Sequence, residues 1–213
     1  MNFQREHLLL YAVTDSACIG RRDFFAAVES ALQGGVTMVQ LREKTADIRA
    51  LTEKARQLKK ICSAYGVPLI VNDDYRAALE AGADGVHVGQ EDTAVSEIRR
   101  AAGDSFIIGA TAKTVEQARR AEAEGADYLG VGAVFPSPTK QNAVRITAAQ
   151  LSEIAHSVTV PVCAIGGITA ENMPELYGCG AAGAALVSAV FGAADIRAQC
   201  RRLKACAVHL ENG

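Results

Sequence analysis

Gly34-Gly35-Val36-Thr37, followed by the apolar run Met38 to Leu41, forms a joint that the chain repeats. Glycine commonly ends a helix, and a short apolar run directly after it is typical of a buried strand. Three further copies follow, at Ala81-Gly82-Ala83-Asp84, at Glu124-Gly125-Ala126-Asp127 and, more weakly, at Cys179-Gly180-Ala181-Ala182. One helix-to-strand joint used repeatedly indicates repeated α/β units rather than a mixture of domains.

Short apolar runs recur along the whole chain and are the predicted strands. They are Leu8 to Val13, Met38 to Leu41, Leu69 to Val71, Gly85 to Val88, Phe106 to Ile108, Tyr128 to Val131, Val162 to Ile165 and Ala184 to Val187. Such continuous runs favour parallel strands that are buried on both faces. Between them, Ile48 to Tyr65 and Asp195 to Leu210 have apolar residues at helical spacing.

Helix starts are also readable. Asp23 and Asp47 are predicted N-caps, and Thr114 with Gln117 and Thr147 with Gln150 have the capping-box spacing. Eight strands alternating with helices predict a (β/α)8 TIM barrel that forms one domain over residues 1–213. The alternative is a doubly wound open sheet, but the turn after the first strand is Thr14-Asp15-Ser16 and not its G-x-G-x-x-G.

Composition limits the partners. The chain has 213 residues, 22 basic and 24 acidic side chains and a net charge of −2, which gives no reason to expect nucleic acid or an anionic membrane surface. No apolar run reaches the ~18 residues that would span a bilayer. Six cysteines without C-x-x-C pairs predict reduced thiols packed as small apolar groups, and so a cytoplasmic protein. The sequence leaves open whether the chain forms a homo-oligomer.

In a barrel the strand ends and the loops after them form the reactive face. Gln40, Arg42 and Lys44 alternate along one strand end and should project to the same side, although a solvated strand end would have the same pattern. Asp73 and Asp92 follow two neighbouring strands, which predicts a Mg²⁺ site, since Mg²⁺ favours one or two carboxylates plus phosphate oxygens and waters.

Hydroxyl groups and glycines follow the later strands. Thr111 could donate to phosphate, and the loop Pro136 to Lys140 adds two hydroxyls and a lysine. Gly166-Gly167 and Ser188 suit the backbone phosphate cup that is common after strands seven and eight. The prediction is therefore two anion sites, one charged and metal-dependent for a diphosphate, the other neutral for a monophosphate. For His87, inside a strand, a hydrogen-bonded structural role is favoured over that of a general base.

These motifs, in this order, resemble thiamine-phosphate synthase from Leu10 to about Val190. The residues that carry the resemblance are Leu10 to Asp15, Val39 to Lys44, Val71 to Asp74, His87 to Asp92, Ser137 to Lys140 and Ala164 to Ile168. The resemblance implies a magnesium-dependent transferase of thiamine biosynthesis. Its substrates would be 4-amino-2-methyl-5-(diphosphooxymethyl)pyrimidine and thiazole phosphate, and its products thiamine phosphate and pyrophosphate.

The resemblance also implies a role for each site residue. The pyrimidine diphosphate would be held by Gln40, Leu41, Arg42, Glu43, Lys44, Asn72, Thr111 and Lys140. The thiazole phosphate would be held by Ser137, Pro138, Thr139, Gly167, Val187 and Ser188. Asp73 and Asp92 would bind Mg²⁺, while the catalytic cations Arg42, Lys44 and Lys140 would neutralise the charge on departing pyrophosphate.

Three residues depart from the family pattern without removing a role: Thr111 for serine, Ser137 for threonine and Lys113 for histidine. The nearest alternative is the related thiazole tautomerase, but its proton-transfer histidine would stand where this chain has Lys113, and it would not need Asp73 and Asp92. Another phosphate-sugar barrel such as an epimerase, or a non-catalytic thiamine-phosphate-binding barrel, would leave the charged cluster without a purpose.

Overall fold

A computed structural model of the chain describes residues 3–43, 46–136 and 145–211. Eight parallel strands follow one another around a closed barrel, with the first strand paired to the last. The strands are β1 Leu10–Val13, β2 Met38–Leu41, β3 Leu69–Asn72, β4 Gly85–Val88, β5 Ile107–Ala112, β6 Tyr128–Gly132, β7 Val162–Ile165 and β8 Gly183–Leu186. The predicted (β/α)8 barrel is confirmed.

Helices connect the strands on the outside of the barrel. They are α1 Ser16–Ile19, α2 Phe24–Gln33, α3 Ile48–Ala64, α4 Tyr75–Ala81, α5 Val95–Ala102, α6 Val115–Ala123, α7 Ala148–His156, α8 Ser188–Phe191 and α9 Ile196–Ala207. Two short 3₁₀ helices, Arg5–Leu8 and Met173–Leu176, complete the described elements.

The predicted strand bounds differ from the structure by more than one residue at two places. The first strand begins at Leu10 and not at Leu8, because Arg5–Leu8 forms a 3₁₀ helix. This helix places Leu8 in the smaller hydrophobic cluster, with Tyr11 and Val13. The fifth strand begins one residue later than Phe106 and continues to Ala112, since Thr111 and Ala112 still pair with β6. Thr111 therefore lies within the strand, one residue before its end at Ala112.

The predicted joints between helices and strands are confirmed. Gly82, Gly125 and Gly180 have φ angles of 70°, 98° and 83°, the left-handed conformation that a glycine adopts without steric cost. At the other helix ends, Asp23 and Asp47 accept hydrogen bonds from Ala26 N–H and Ala50 N–H as N-caps.

The two predicted capping boxes have different outcomes. The box at Thr147 and Gln150 is complete in both directions. At Thr114 only half of the box forms, because the Gln117 side chain accepts from Lys113 N–H rather than from the N-cap residue. Gln117 thereby holds Lys113, the residue that follows the carboxyl end of β5.

Burial divides the strand side chains into two clusters. Leu10 and Ala12 of β1 pack in the larger cluster with the helices, whereas Tyr11 and Val13 belong to a smaller one inside the barrel. This alternation is the physical basis of the continuous apolar runs, since both faces of each strand are buried. The inner cluster forms the floor on which the carboxyl-end groups stand.

The six cysteines, all within the described ranges, form no disulfide. Burial raises the pKa of Cys62, Cys163 and Cys200 to about 12, so these thiols stay protonated and pack as apolar groups. Among the helices in the part of the chain that the structure describes, none is long and apolar enough to cross a membrane.

Candidate active site

A cavity opens at the carboxyl ends of the strands. Its wall contains side chains or backbone from seven of the residues predicted to bind substrate: Gln40, Arg42, Asn72, Thr111, Gly167, Val187 and Ser188. They come from β2, β3 and β5 on one side and from the segments after β7 and β8 on the other. Residues that are far apart in sequence thus meet at the face that barrels use for chemistry.

Residues alternate between two environments along the end of β2. Gln40 and Arg42 face the cavity, as the strand period predicts. Leu41 is fully buried in the larger hydrophobic cluster, so only its backbone is placed to contact a ligand. The Glu43 carboxylate forms an ion pair with Lys54 and accepts a hydrogen bond of 2.8 Å from Ser16 Oγ, which ties this strand end to the outer helices.

Arg42 is anchored by the two residues that follow β1. Its backbone N–H donates to Thr14 Oγ1 at 3.0 Å, and its guanidinium lies 3.4 Å from Asp15 Oδ2. Thr14 is fully buried, and the Asp15 carboxylate also caps α1 through Ala17 N–H and Cys18 N–H. The positive charge of Arg42 is therefore held at the cavity by a partner that is itself fixed.

The two carboxylates predicted to bind metal lie together. The Gly89 N–H donates to Asp92 Oδ2 at 2.7 Å, which fixes one oxygen of that side chain. Partial burial, the negative charge of Asp92 and a hydrogen bond between the two carboxyl groups raise the pKa of Asp73 to about 6, against the opposing effects of Arg42 and Asn72. Two carboxylates this close need a proton or a cation between them.

Asp73 has an unusual backbone for a residue with a side chain. Its φ of 65° lies in the left-handed region, and its N–H donates to His87 O across the neighbouring strand at 2.9 Å. Aspartate tolerates this conformation better than most residues, but it still costs free energy. A strained position of this kind is typical of a functional site.

Among the described residues, the opposite wall contains two adjacent glycines and no charged residue after β7 and β8. Gly166 and Gly167 have φ angles of 100° and 64°. A Cβ on Gly167 would lie 2.3 Å from Pro136 O, so only glycine allows the loop after β6 to approach this closely. Val187 and Ser188 follow β8 directly, where α8 begins. This wall has no charged group among these four residues, and its glycines allow a close approach to the backbone.

Lys44, Ser137, Pro138, Thr139 and Lys140 lie outside the described residues. Pro136 and Arg145 mark the two described ends of the segment that contains the last four.

The cavity also contains residues that sequence reasoning did not assign to it. Tyr11 and Lys113 line its wall, and His87 forms its floor together with Tyr128 beneath. The sequence did contain a signal for them, because a glycine inside a strand often leaves space for a large neighbouring side chain. A Cβ on Gly109 would lie 2.1 Å from the Tyr128 ring, and one on Gly130 would lie 3.0 Å from the His87 ring.

Comparison with known proteins agrees with this geometry. The sequence profile of the family described as thiamine monophosphate synthase matches residues 10–190. The chain belongs to the thiamine monophosphate synthase family. It is 45% identical over 195 residues to thiamine-phosphate synthase 2 of Streptococcus pneumoniae, with 92% of this chain and 93% of the relative covered.

Further relatives extend the similarity. The thiamine-phosphate synthase of Enterococcus faecalis is 46% identical over 193 residues, which are 90% of each chain. The solved structure of thiamine phosphate pyrophosphorylase from Pyrococcus furiosus superposes with a TM-score of 0.89 at 37% identity, covering 97% of this chain and 98% of the other. The family assignment makes the chain an enzyme of the transferase class in thiamine biosynthesis.

Proposed function

We propose that this enzyme joins 4-amino-2-methyl-5-(diphosphooxymethyl)pyrimidine to thiazole phosphate. The bond between the pyrimidine methylene carbon and the diphosphate oxygen breaks, and its electron pair leaves with pyrophosphate. The thiazole nitrogen supplies the lone pair for the new carbon–nitrogen bond, giving thiamine phosphate. The observation that carries this proposal is the pair of carboxylates Asp73 and Asp92 beside Arg42, which lines a cavity whose opposite wall, in the described part of the chain, is uncharged and contains Gly166 and Gly167.

The reaction needs a stabilised leaving group more than it needs a base. A thiazole nitrogen has no proton to lose before it attacks. His87, the histidine that forms the cavity floor, has both ring nitrogens in hydrogen bonds, to Tyr128 and Thr111, and burial lowers its pKa to about 4. A neutral imidazole that is fully bonded is a poor general base, and the proposed reaction does not require one.

The pyrimidine diphosphate would lie against the charged wall. Arg42 would pair with diphosphate oxygens, and Asn72 and Thr111 would supply neutral donors beside it. Lys44 and Lys140 would add two cations from outside the described residues. In such a dissociative alkyl transfer the negative charge on the departing group grows, so preorganised donors and cations act where the charge develops.

Asp73 and Asp92 have the donor chemistry that Mg²⁺ would need. Within the described residues there is no cluster of three or more metal-binding side chains, as a site made by protein alone would have. A pair of carboxylates is instead what Mg²⁺ uses when substrate phosphate and water complete its shell. Mg²⁺ held there would offset the charge of the diphosphate, and it would take the place of the proton that the two carboxyl groups otherwise share.

The thiazole phosphate would occupy the backbone wall. Gly167, Val187 and Ser188 line that wall, and Ser137, Pro138 and Thr139 follow the loop that Gly167 touches. A monophosphate that keeps its charge throughout the reaction needs only hydrogen bonds of fixed geometry. Backbone N–H groups supply these without side-chain entropy.

The test is a reaction of purified enzyme with both substrates and Mg²⁺, followed by measurement of pyrophosphate and thiamine phosphate. We expect the two products in equal amounts, and none when either substrate is left out or when a chelator removes the metal. A sample with thiazole phosphate alone reports any isomerase activity. Absence of pyrophosphate from the complete mixture would overturn the proposal.

A further inference from the structure

A chain of hydrogen bonds crosses the inside of the barrel beneath the cavity. Gln40 Nε2 donates to the Tyr11 hydroxyl at 2.6 Å, and that hydroxyl lies 2.8 Å from the Tyr128 hydroxyl. The Tyr128 oxygen lies 3.1 Å from His87 Nδ1, and His87 Nε2 lies 3.0 Å from Thr111 Oγ1. The five side chains come from five different strands.

The middle of this chain is closed to water. Tyr11 is 1% exposed, Tyr128 0% and His87 8%. Burial raises the pKa of both tyrosines far above the ordinary value, so both stay protonated. Each buried hydroxyl then has one proton, and leaving that proton without an acceptor would cost about 1–3 kcal/mol.

Counting protons fixes the direction of the chain. Tyr11 accepts from Gln40, so it must donate to Tyr128, because the reverse would leave the Tyr11 proton without an acceptor. Tyr128 must then donate to His87 Nδ1. Because Nδ1 accepts this hydrogen bond and therefore has no proton, the N–H of the buried imidazole is at Nε2 and donates to Thr111 Oγ1.

The last proton in the chain is that of Thr111. Its oxygen accepts from His87, which leaves its own hydroxyl proton for an acceptor in the cavity that Thr111 lines. The Thr111 backbone is held as well, because Gln90 Nε2 donates to Thr111 O at 2.5 Å. At the other end, the Gln40 amide is oriented by its bond to Tyr11 and also lines the cavity.

We propose that Tyr11, Tyr128 and His87 are positioning residues that direct the Thr111 hydroxyl proton, and orient the Gln40 amide, toward the pyrimidine diphosphate. This inference rests on the proposed function, since it takes the cavity as the place where the diphosphate departs. Thr111 acts as a donor of fixed direction, and the buried chain keeps it from accepting instead. The glycines at positions 109 and 130 give the two rings their space.

The first experiment determines which groups donate in this series of hydrogen bonds, and it needs no substrate. Nitrogen NMR of the full-length enzyme distinguishes a protonated ring nitrogen from an unprotonated one, and His87→Gln identifies the His87 signals. We expect the Nε2–H tautomer in the wild type and in Tyr11→Phe, because Tyr128 still donates to Nδ1 there. In Tyr128→Phe we expect both tautomers. Nδ1–H in the wild type, or an unchanged tautomer in Tyr128→Phe, would overturn the proposal.

The second experiment asks whether the chain acts through Thr111. We expect Thr111→Val to lower kcat about 10²-fold, as loss of a preorganised donor does. Tyr128→Phe should lower kcat roughly tenfold, with the KM for thiazole phosphate unchanged within about twofold, since one net hydrogen bond is worth about that factor. In the double variant, Tyr128→Phe should add little to the loss from Thr111→Val.

Tyr65→Phe is the matched control, because the Tyr65 hydroxyl bonds Glu29 on the surface, away from the cavity. It should keep wild-type kcat, and thermal unfolding should show that every variant is folded. Additive losses in the double variant would contradict a role through Thr111. If the wild type forms no thiamine phosphate, the proposed function fails, while the tautomer measurement still decides the direction of the chain.

Discussion

The two walls of the cavity are built from different materials. On the side of β2 to β4 the charged groups are Arg42, which lines the cavity, and the neighbouring carboxylates Asp73 and Asp92, which interact with it and with each other; we call these three residues the charged wall. After β7 and β8 the wall that the structure describes is uncharged and contains Gly166 and Gly167, and we call this side the glycine wall. The difference matches the two phosphorylated groups of the proposed reaction. One of them gains charge as it departs, and the other stays as it is.

The two walls are also anchored differently. The charged wall is held by side-chain pairs, Arg42 with Asp15 and Glu43 with Lys54. The glycine wall is held by hydrogen bonds to backbone groups, from Phe135 N–H to Gly166 O at 3.0 Å and from Asn172 Nδ2 to Gly167 O at 3.0 Å. Substitutions should therefore affect the charged wall through electrostatics and the glycine wall through shape.

The largest effect is expected from Arg42→Gln. This change removes the positive charge but keeps a long polar side chain, and we expect kcat to fall about 10²–10³-fold because charge on the leaving group is no longer offset. The KM for thiazole phosphate should stay within about twofold of the wild-type value. Steady-state kinetics with each substrate varied in turn makes the measurement.

Arg202→Gln is the matched control for Arg42. Arg202 is an exposed arginine that pairs with Glu171 on the surface, so its loss should leave kcat unchanged. Equal losses from both variants would mean that net charge, and not the position of Arg42, governs the rate. That result would remove the electrostatic distinction between the walls.

The free energy of unfolding should fall in acid because of His87, which forms the cavity floor. The folded-state pKa of His87 is lowered to about 4 from 6.5, so the unfolded chain binds this proton first as the pH falls. This loss of stability is absent well above pH 6.5 and grows as the pH falls toward 4. From about pH 7.5 to about pH 5, the wild type should lose about 2 kcal/mol more free energy of unfolding than His87→Gln.

Denaturant unfolding of both proteins at the two pH values checks this prediction. Asp73 titrates in the opposite sense in both proteins, because its folded-state pKa is raised to about 6, so the difference between them isolates His87. Equal pH dependence in the two proteins would show that His87 does not titrate as a buried neutral group.

The sequence predicts most of the barrel because its signals are local. Apolar runs and glycine joints predict every strand end to within two residues, except for the carboxyl end of β5. That extension was missed because Gly109 and Ala110 are poor strand formers by themselves. Pairing with β6 overrides their local preference.

The candidate site was predictable where its residues stand at strand ends and unpredictable inside the barrel. Gln40 and Arg42 follow from alternation, and Asp73 and Asp92 from their neighbouring strands. The contacts of Tyr11 and Tyr128 join residues 117 positions apart in the chain, and no local pattern encodes them. Which hydroxyl donates and which accepts follows from the protons that each group has and from the distances between the groups, and the sequence does not contain those distances.

The metal prediction sharpens the comparison with a smaller effect. Asp92→Asn keeps the size of the side chain but removes its charge, so the Mg²⁺ concentration for half-maximal activity should rise on the order of tenfold. Glu97→Gln, a change at an exposed carboxylate on α5, is the control and should leave the titration unchanged. An unchanged Mg²⁺ titration in Asp92→Asn would remove Asp92 from the metal site.

The smallest effect is expected at the glycine wall, from Gly167→Ala. A methyl group there would strain a φ of 64° and meet Pro136 O at 2.3 Å, which pushes the loop after β6 outward. A displacement that costs about 1 kcal/mol should raise the KM for thiazole phosphate roughly fivefold and leave the Mg²⁺ titration unchanged. Gly66→Ala separates the two causes, because Gly66 has a φ of 66° with nothing within 4 Å. Both variants should lose a similar amount of stability from backbone strain, but only Gly167→Ala should weaken the binding of thiazole phosphate. If Gly167→Ala instead raised the Mg²⁺ requirement, the two walls would act as one site, and their different construction would have no functional meaning.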